Sequence, residues 1–225
     1  ALPISPRRAR RLQRKRYREE ERLFLAEGER LLAEATVPPL RVFTEPEQIR
    51  RVSTLKTPAG PVGVFPYLDV SPEELLARGR IVVLLEGVQD PGNVGTVIRS
   101  AHAFGAGVAL SRGCADLYNP KTVRSTMGSL FRVPVARELD PLAFLELARG
   151  AGFGLAAATP GGGEPPGSMP GGNLVVAVGS EGAGLSPGVV RACGVRVSIP
   201  SRAPSLNAAV AASILLYEAY RRVLT

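Results

Sequence analysis

From Arg80 onward, short aliphatic runs alternate with longer segments whose apolar residues recur at helical spacing. The runs Ile81 to Leu85, Gly107 to Leu110, Val133 to Val135, Phe153 to Ala158, Leu174 to Val178 and Val195 to Ile199 predict strands. Helices are predicted over Val94 to Phe104, over Pro141 to Ala151, and over an alanine-rich stretch that Ser205 opens as N-cap and that runs to Tyr220. Continuous apolar strands separated by helices imply an α/β fold with a parallel sheet covered on both faces.

The first 78 residues follow another rhythm. Residues 11 to 35 are helical by pattern, with Leu23, Leu25, Leu31 and Leu32 at apolar positions and Gly28 as a weak point. After Pro38-Pro39 come a short strand, Leu40 to Phe43, a helix start at Pro46, a turn-rich stretch from Ser53 to Gly60, and a second strand, Val62 to Phe65. Tyr67 to Gly79 reads as a linker carrying one helix, Pro72 to Arg78, capped by Ser71. The expected division is a small α/β module over residues 1–78 and a larger α/β domain over 79–225.

Composition narrows the partners. The 225 residues carry a formal charge of +8, and much of it is concentrated in Arg7, Arg8, Arg10, Arg11, Arg14, Lys15, Arg16 and Arg18. Guanidinium groups donate paired hydrogen bonds to phosphate, so this run is a candidate RNA-binding surface. It is equally a candidate solvated helix face, because Glu19, Glu20, Glu21, Glu27 and Glu29 follow at spacings that allow ion pairs. The two cysteines, Cys114 and Cys193, form no metal or disulfide pattern. No apolar run is long enough for a membrane span and no signal sequence is evident, so a cytoplasmic protein is expected, without membrane or metal.

Three loops follow predicted strands, where ligands of parallel sheets gather. Glu86 to Arg99 leaves a strand and enters a helix, yet lacks both the dinucleotide glycine spacing and a Walker lysine. Within it, Asn93 and Arg99 are each explained in isolation by capping or a surface ion pair. Gly179-Ser180-Glu181-Gly182 allows close approach of a ligand to the backbone, with Glu181 as a helix-start charge or a functional acid. The third loop runs from Ser198-Ile199-Pro200 to Ser205-Leu206-Asn207. His102 is expected to be a packed or surface residue rather than a base, and Met127 and Phe131 are expected to be core residues. Tyr118, Asn119 and Lys121 lie around Pro120 and are equally candidates for approach to RNA and for an ordinary helix start.

Taken together, Asn93 to Arg99, Gly179 to Gly182, Ser198 to Pro200 and Ser205 to Asn207 resemble the three motifs of the SpoU (TrmH) family of RNA ribose 2′-O-methyltransferases, in the SPOUT superfamily. Lys15 to Arg18, Ala26-Glu27-Gly28 and Ser53 to Gly60 resemble that family's substrate-binding module. The resemblance implies a C-terminal deep trefoil knot, a homodimer, and S-adenosyl-L-methionine held by Thr159, Gly179, Ile199, Pro200, Leu206 and Ala208. It implies a catalytic set of Asn93, Arg99, Glu181, Ser205 and Asn207, and RNA, above all ribosomal RNA, as substrate. Between Ile199 and Leu206 the turn is about two residues shorter than the family pattern.

Methyl transfer to a ribose hydroxyl is an in-line displacement at a poor nucleophile, so alignment and stabilisation of the forming oxyanion carry the catalysis. Arg99 is expected to meet the oxyanion, with Asn93 fixing it, since a guanidinium of pKa above about 12 is a demanding general base. The competing readings are a transfer RNA substrate, an RNA-binding assembly protein without catalysis, and a nicotinamide oxidoreductase.

Overall fold

The computed structural model describes residues 3–58 and 60–224. The chain begins with α1 (Pro6–Arg11) and α2 (Lys15–Glu21), followed by β1 (Leu23–Glu27), α3 (Glu29–Ala33), β2 (Arg41–Phe43), α4 (Pro46–Val52) and β3 (Val62–Pro66). The three strands pair antiparallel in the order β1-β3-β2. Where one helix was expected over residues 11–35, the chain instead forms the end of α1, then α2, β1 and α3. Arg22 adopts a left-handed conformation at the end of α2, and Leu23 to Ala26 then enter the sheet. Every residue of β1 is buried, because Leu23 and Leu25 face one core while Phe24 and Ala26 face another. A strand covered on both sides has no polar alternation to mark it.

Next come α5 (Pro72–Arg78), β4 (Ile81–Glu86), α6 (Pro91–Ala103), β5 (Gly107–Ser111), α7 (Pro120–Ser125), β6 (Val135–Leu139), α8 (Pro141–Gly150), β7 (Gly154–Ala158), β8 (Leu174–Gly179), α9 (Pro187–Cys193), β9 (Val195–Val197) and α10 (Ala208–Leu224). Six strands form one parallel sheet in the order β6-β5-β4-β8-β7-β9. Alternate residues supply the two cores. Val83, Leu85, Val108, Val176 and Val178 meet α6 and α10, while Val82, Leu84, Ala109, Val175 and Ala177 meet α5, α8 and α9.

Helix starts are written in a repeated local code. Ser5, Ser71, Asp90, Asn119, Asp140 and Ser186 each accept a hydrogen bond from an N–H of the first turn, and proline follows each of them. Asp90-Pro91 therefore starts α6 three residues before the expected Val94. The last helix starts later than expected, at Ala208. Its cap is Asn207, whose Oδ1 accepts from Ala209 and Val210 N–H at 2.9 and 3.1 Å, so Ser205 is not the cap.

Two other strand limits move. β6 begins at Val135 rather than Val133, since Pro134 has no N–H and contributes only its carbonyl, to Val108 N–H. β9 ends at Val197 rather than Ile199. Phe131 is buried as expected, whereas Met127 is 52% exposed.

The segment expected to be a linker is instead a packed joint. Tyr67 stacks on Tyr118 with ring centroids 3.8 Å apart. The Tyr118 hydroxyl accepts from Leu68 and Asp69 N–H and donates to Asp69 Oδ1 at 2.7 Å. Burial first and the Asp69 carboxylate next push the Tyr118 phenol well above its ordinary pKa, which keeps it a donor. Arg137 of β6 grips Glu19 with both terminal nitrogens and lies over the Tyr67 ring. Arg18 meets Asp116 at 2.6 Å, with both side chains more than nine-tenths buried. Phe24 and Phe65 of the small sheet share one core with α6, α7 and β4.

Candidate active site

A cleft of about 330 Å³ opens beyond the carboxyl ends of β7, β8 and β9, the edge at which open parallel sheets bind ligands. The loop after β8 forms one side with Gly179, Ser180, Glu181 and Leu185. Ala158, Thr159 and Pro160 after β7, and Ile199, Ser201 and Leu206 after β9, form the rest, with Ala208 and Ala211 of α10 at the back.

The β8 loop folds back on itself at Gly179. A Cβ there would come within 2.1 Å of the Gly184 carbonyl carbon, so glycine is required by close backbone approach. Glu86, at the end of β4, accepts from Ser186 N–H at 2.8 Å and holds the far end of that loop. The Thr159 hydroxyl is occupied by Gly161 O and Ser198 Oγ, both at 3.1 Å.

At the rim, Glu181 gathers three parts of the chain. Its Oε1 accepts from Asn93 Nδ2 at 3.2 Å, from Ala208 N–H at 3.2 Å, and from Asn207 Nδ2. Asn207 Nδ2 also reaches Asn93 Oδ1 at 3.1 Å. The carboxylate lies at the N-terminus of α10, where the helix dipole favours negative charge. Asn93, Glu181 and Asn207 thus connect α6, the β8 loop and α10, although 88 residues separate the first two.

The SpoU rRNA methylase family model matches residues 80–217. A curated relative, the 23S rRNA (guanosine(2553)-2′-O)-methyltransferase of Bacillus subtilis, is 34% identical over a 233-residue alignment that covers 92% of each chain. The AdoMet-bound rRNA methyltransferase from Sinorhizobium meliloti superposes with a TM-score of 0.89 at 31% identity, covering 99% of this chain and 96% of that one. The AdoMet complex of the SpoU methyltransferase AviRb from Streptomyces viridochromogenes gives 0.86 at 28% identity, with 98% of each chain covered.

The chain belongs to the SpoU methylase family.

The cleft suits the family's methyl donor. Its volume is within the usual range for small-molecule sites, about 300–1,000 Å³. Val178, Leu185, Ile199 and Leu206 supply apolar walls, the glycine loop supplies accessible backbone, and Glu181 supplies negative charge at the mouth. Among the described residues no group of three or more His, Cys, Asp or Glu side chains is placed to hold a metal.

Of the residues the SpoU resemblance assigns to the cofactor, Thr159, Gly179, Ile199, Leu206 and Ala208 line the cleft. Pro200 does not; it is exposed beside it. Of the catalytic set, Glu181 and Ser205 line the cleft, and Asn93 and Asn207 join Glu181. Arg99 lies on the exposed side of α6, and its guanidinium bonds to no other described residue. The expected pairing of Asn93 with Arg99 is therefore replaced by the pairing of Asn93 with Glu181 and Asn207. Leu185, Ser201, Ala203 and Val190 also line the cleft and were not anticipated. Ser201 and Ala203 lie inside the third loop, and Leu185 and Val190 follow the second, which was their only signal.

The N-terminal arginines divide. Arg7, Arg10, Arg14 and Arg16 are exposed. Arg8 pairs with Glu21 at 2.7 Å, Lys15 with Glu138 at 3.3 Å, and Arg11 covers the Tyr17 ring at 3.9 Å. Arg18 is 2% exposed, so it offers no surface to RNA; its guanidinium is used by Asp116 and the Leu12 and Gln13 carbonyls. Through Lys15–Glu138 and Glu19–Arg137, α2 sits beside β6. That strand is three positions from β8, or about 14 Å at ordinary strand spacing.

Proposed function

We propose that this protein transfers a methyl group from S-adenosyl-L-methionine to a ribose 2′-hydroxyl of 23S ribosomal RNA. The observation that carries the reading is the cleft bounded by the Asn93–Glu181–Asn207 network, within a chain that matches a 23S rRNA 2′-O-methyltransferase along nearly its whole length.

Bound in this cleft, S-adenosyl-L-methionine supplies an electrophilic methyl group. Gly179, Ile199 and Leu206 offer backbone groups to hold it, and Val178 and Leu185 exclude water. Glu181 holds the start of α10 against the β8 loop, which keeps the two walls of the cleft in register. Arg99, with its donors unengaged, stabilises the ribose oxygen as charge builds on it. The guanidinium stays charged, so the hydroxyl proton leaves to water or an RNA phosphate.

The finer architecture belongs to the same proposal. From β8 the chain runs out through α9 and β9 and returns in α10 to pack against β4, β8 and α6, an arrangement that supports a C-terminal trefoil knot over a methyltransferase domain of residues 79–225. Residues 1–78 then form the RNA-binding module. α10 leaves Val210, Ile214 and Tyr217 exposed at spacings of four and three, which supports a homodimer through this helix. No helix among the described residues is long and apolar enough to cross a membrane.

The test is transfer of labelled methyl groups to a 23S rRNA transcript, with calorimetric titration of the methyl donor. Arg99→Ala is expected to lower kcat by about 10²–10³ and leave donor affinity unchanged. Donor binding without any methyl transfer by the wild-type chain would favour a non-catalytic RNA-binding role. Absence of donor binding would refute the enzyme.

A further inference from the structure

Glu27 is a carboxylate with no role in the cleft, yet its side chain is only 4% exposed. Oε2 accepts from Ser53 Oγ at 2.6 Å, and Oε1 accepts from Thr54 N–H at 2.8 Å and from Thr54 Oγ1. A buried carboxylate needs such donors, and here they fix the start of the 53–58 loop. That loop is in turn joined to the larger sheet's helices, because Arg124 of α7 donates from Nη1 to Thr54 Oγ1 at 2.8 Å. Glu27 lies 3.9 Å from the same nitrogen and makes no forked pair with it.

One corner of the Arg124 guanidinium is therefore anchored, while its other N–H groups bond to no described residue. They are not sealed inside either, since the side chain is one-third exposed and none of its nitrogens is buried without a partner. The exposed Lys56 lies two residues beyond Thr54, and the exposed Lys121 lies one helical turn before Arg124. The position relative to the cleft is set by the next residue. A Cβ on Gly95 would come within 2.3 Å of Ser125 Cβ, so α7 crosses α6 two residues from Asn93 and one turn from Arg99. Gly95 and Arg99 lie one turn apart on the same side of α6, so the residue after Arg124 packs against the side of α6 that carries Arg99, and Arg124 itself reaches the 53–58 loop.

We propose that Arg124 binds a backbone phosphate of the substrate RNA next to the target nucleotide, held in place for that task by Thr54 and Glu27 of the small module. This rests on the RNA methyltransferase reading above. A guanidinium with one edge pinned and the other edge open presents a prealigned fork to phosphate, at a smaller ordering cost than a free side chain. The small module then acts on the reaction directly: it orients a phosphate contact on the catalytic side as well as offering its own arginines. Arg124 contacts the substrate; Thr54 and Glu27 are positioning residues.

The full-length chain is tested with a 23S rRNA transcript, by binding at several salt concentrations, by methyl transfer, and by titration of the methyl donor. Arg124→Gln is expected to flatten the plot of log affinity against log salt by about 0.7–0.9, the loss of one phosphate contact. It should also raise the KM for RNA on the order of tenfold, with donor affinity unchanged and kcat within about twofold. Thr54→Val should raise KM in the same direction by less and leave the salt slope nearly intact, because the charge remains. Arg124→Lys should keep the slope and lose part of the affinity, and its thermal melting guards against a folding defect in Arg124→Gln. Should Arg124→Gln keep the wild-type slope and KM, or should Arg124→Lys fail as badly as Arg124→Gln on both, the proposal is wrong while the methyltransferase reading stands. A wild-type chain that binds the donor but neither binds nor methylates the transcript would instead overturn that reading.

Discussion

Two polar networks tie together distant parts of this chain, and they differ in what surrounds them. At the joint between the small module and the larger sheet, Arg18–Asp116, Arg137–Glu19 and Tyr118–Asp69 are mostly buried among stacked rings. At the cleft, Asn93, Glu181 and Asn207 meet in the open. Burial makes the first network expensive to break, because each charge that loses its partner stays away from water. Exposure makes the second thermodynamically light, because water replaces a lost bond. The first network decides how the two sheets sit, and the second decides how the cleft is shaped.

The strongest way to break this contrast is Arg18→Met. It leaves Asp116 buried and unpaired and is expected to cost about 3–5 kcal/mol in urea unfolding. A loss below about 1 kcal/mol would mean that water reaches the pair and that the joint is no more buried than the cleft. The converse variant is Glu181→Ala, which should lower methyl transfer about a hundredfold by loosening the two walls while shifting stability by only about 1 kcal/mol. A comparable loss of stability would erase the distinction. Tyr118→Phe tests one bond set within the joint. It strands the Leu68 and Asp69 N–H groups and should cost about 2 kcal/mol, visible as a lower melting temperature at unchanged donor affinity.

A pH series supplies a baseline from outside both networks. Burial pushes the Cys193 thiol up to about 12, while an unfolded thiol titrates near about 8.5. A raised pKa means that the folded chain holds the proton longer. The contribution is therefore fully present below about pH 8.5 and declines as pH rises toward 12. Unfolding measured across that window should show a negative slope that Cys193→Ala makes shallower.

Much of the larger sheet was legible in the residues. Ile81 to Leu85 and Leu174 to Val178 are uninterrupted aliphatic runs because both faces of a central strand are covered, and they were placed to within a residue. Ser71-Pro72 announced α5 for a purely local reason, a hydroxyl that satisfies an N–H next to a residue already fixed for the helix. β1 was lost for a non-local one. Leu23 to Glu27 is too short an apolar run to be told from a helical segment by its own residues, and pairing with β3 makes it a strand. The N-cap of α10 was read as Ser205, and the fold placed it at Asn207, whose amide also reaches Glu181 and Asn93.

The sequence by itself determined the alternation of strands and helices in the larger sheet, the proline-marked helix starts, and the loops that form the cleft, since these depend on side chains a few residues apart. The tertiary structure alone decided which charges are available. Arg18 and Arg16 are two residues apart in one basic run, yet one is sealed against Asp116 and the other faces water. Arg124 stood in no run at all and is anchored at the junction of the two sheets. A charge counted along the chain says nothing of its desolvation or its partners, and both depend on segments brought together across many residues: 98 in the case of Arg18 and Asp116.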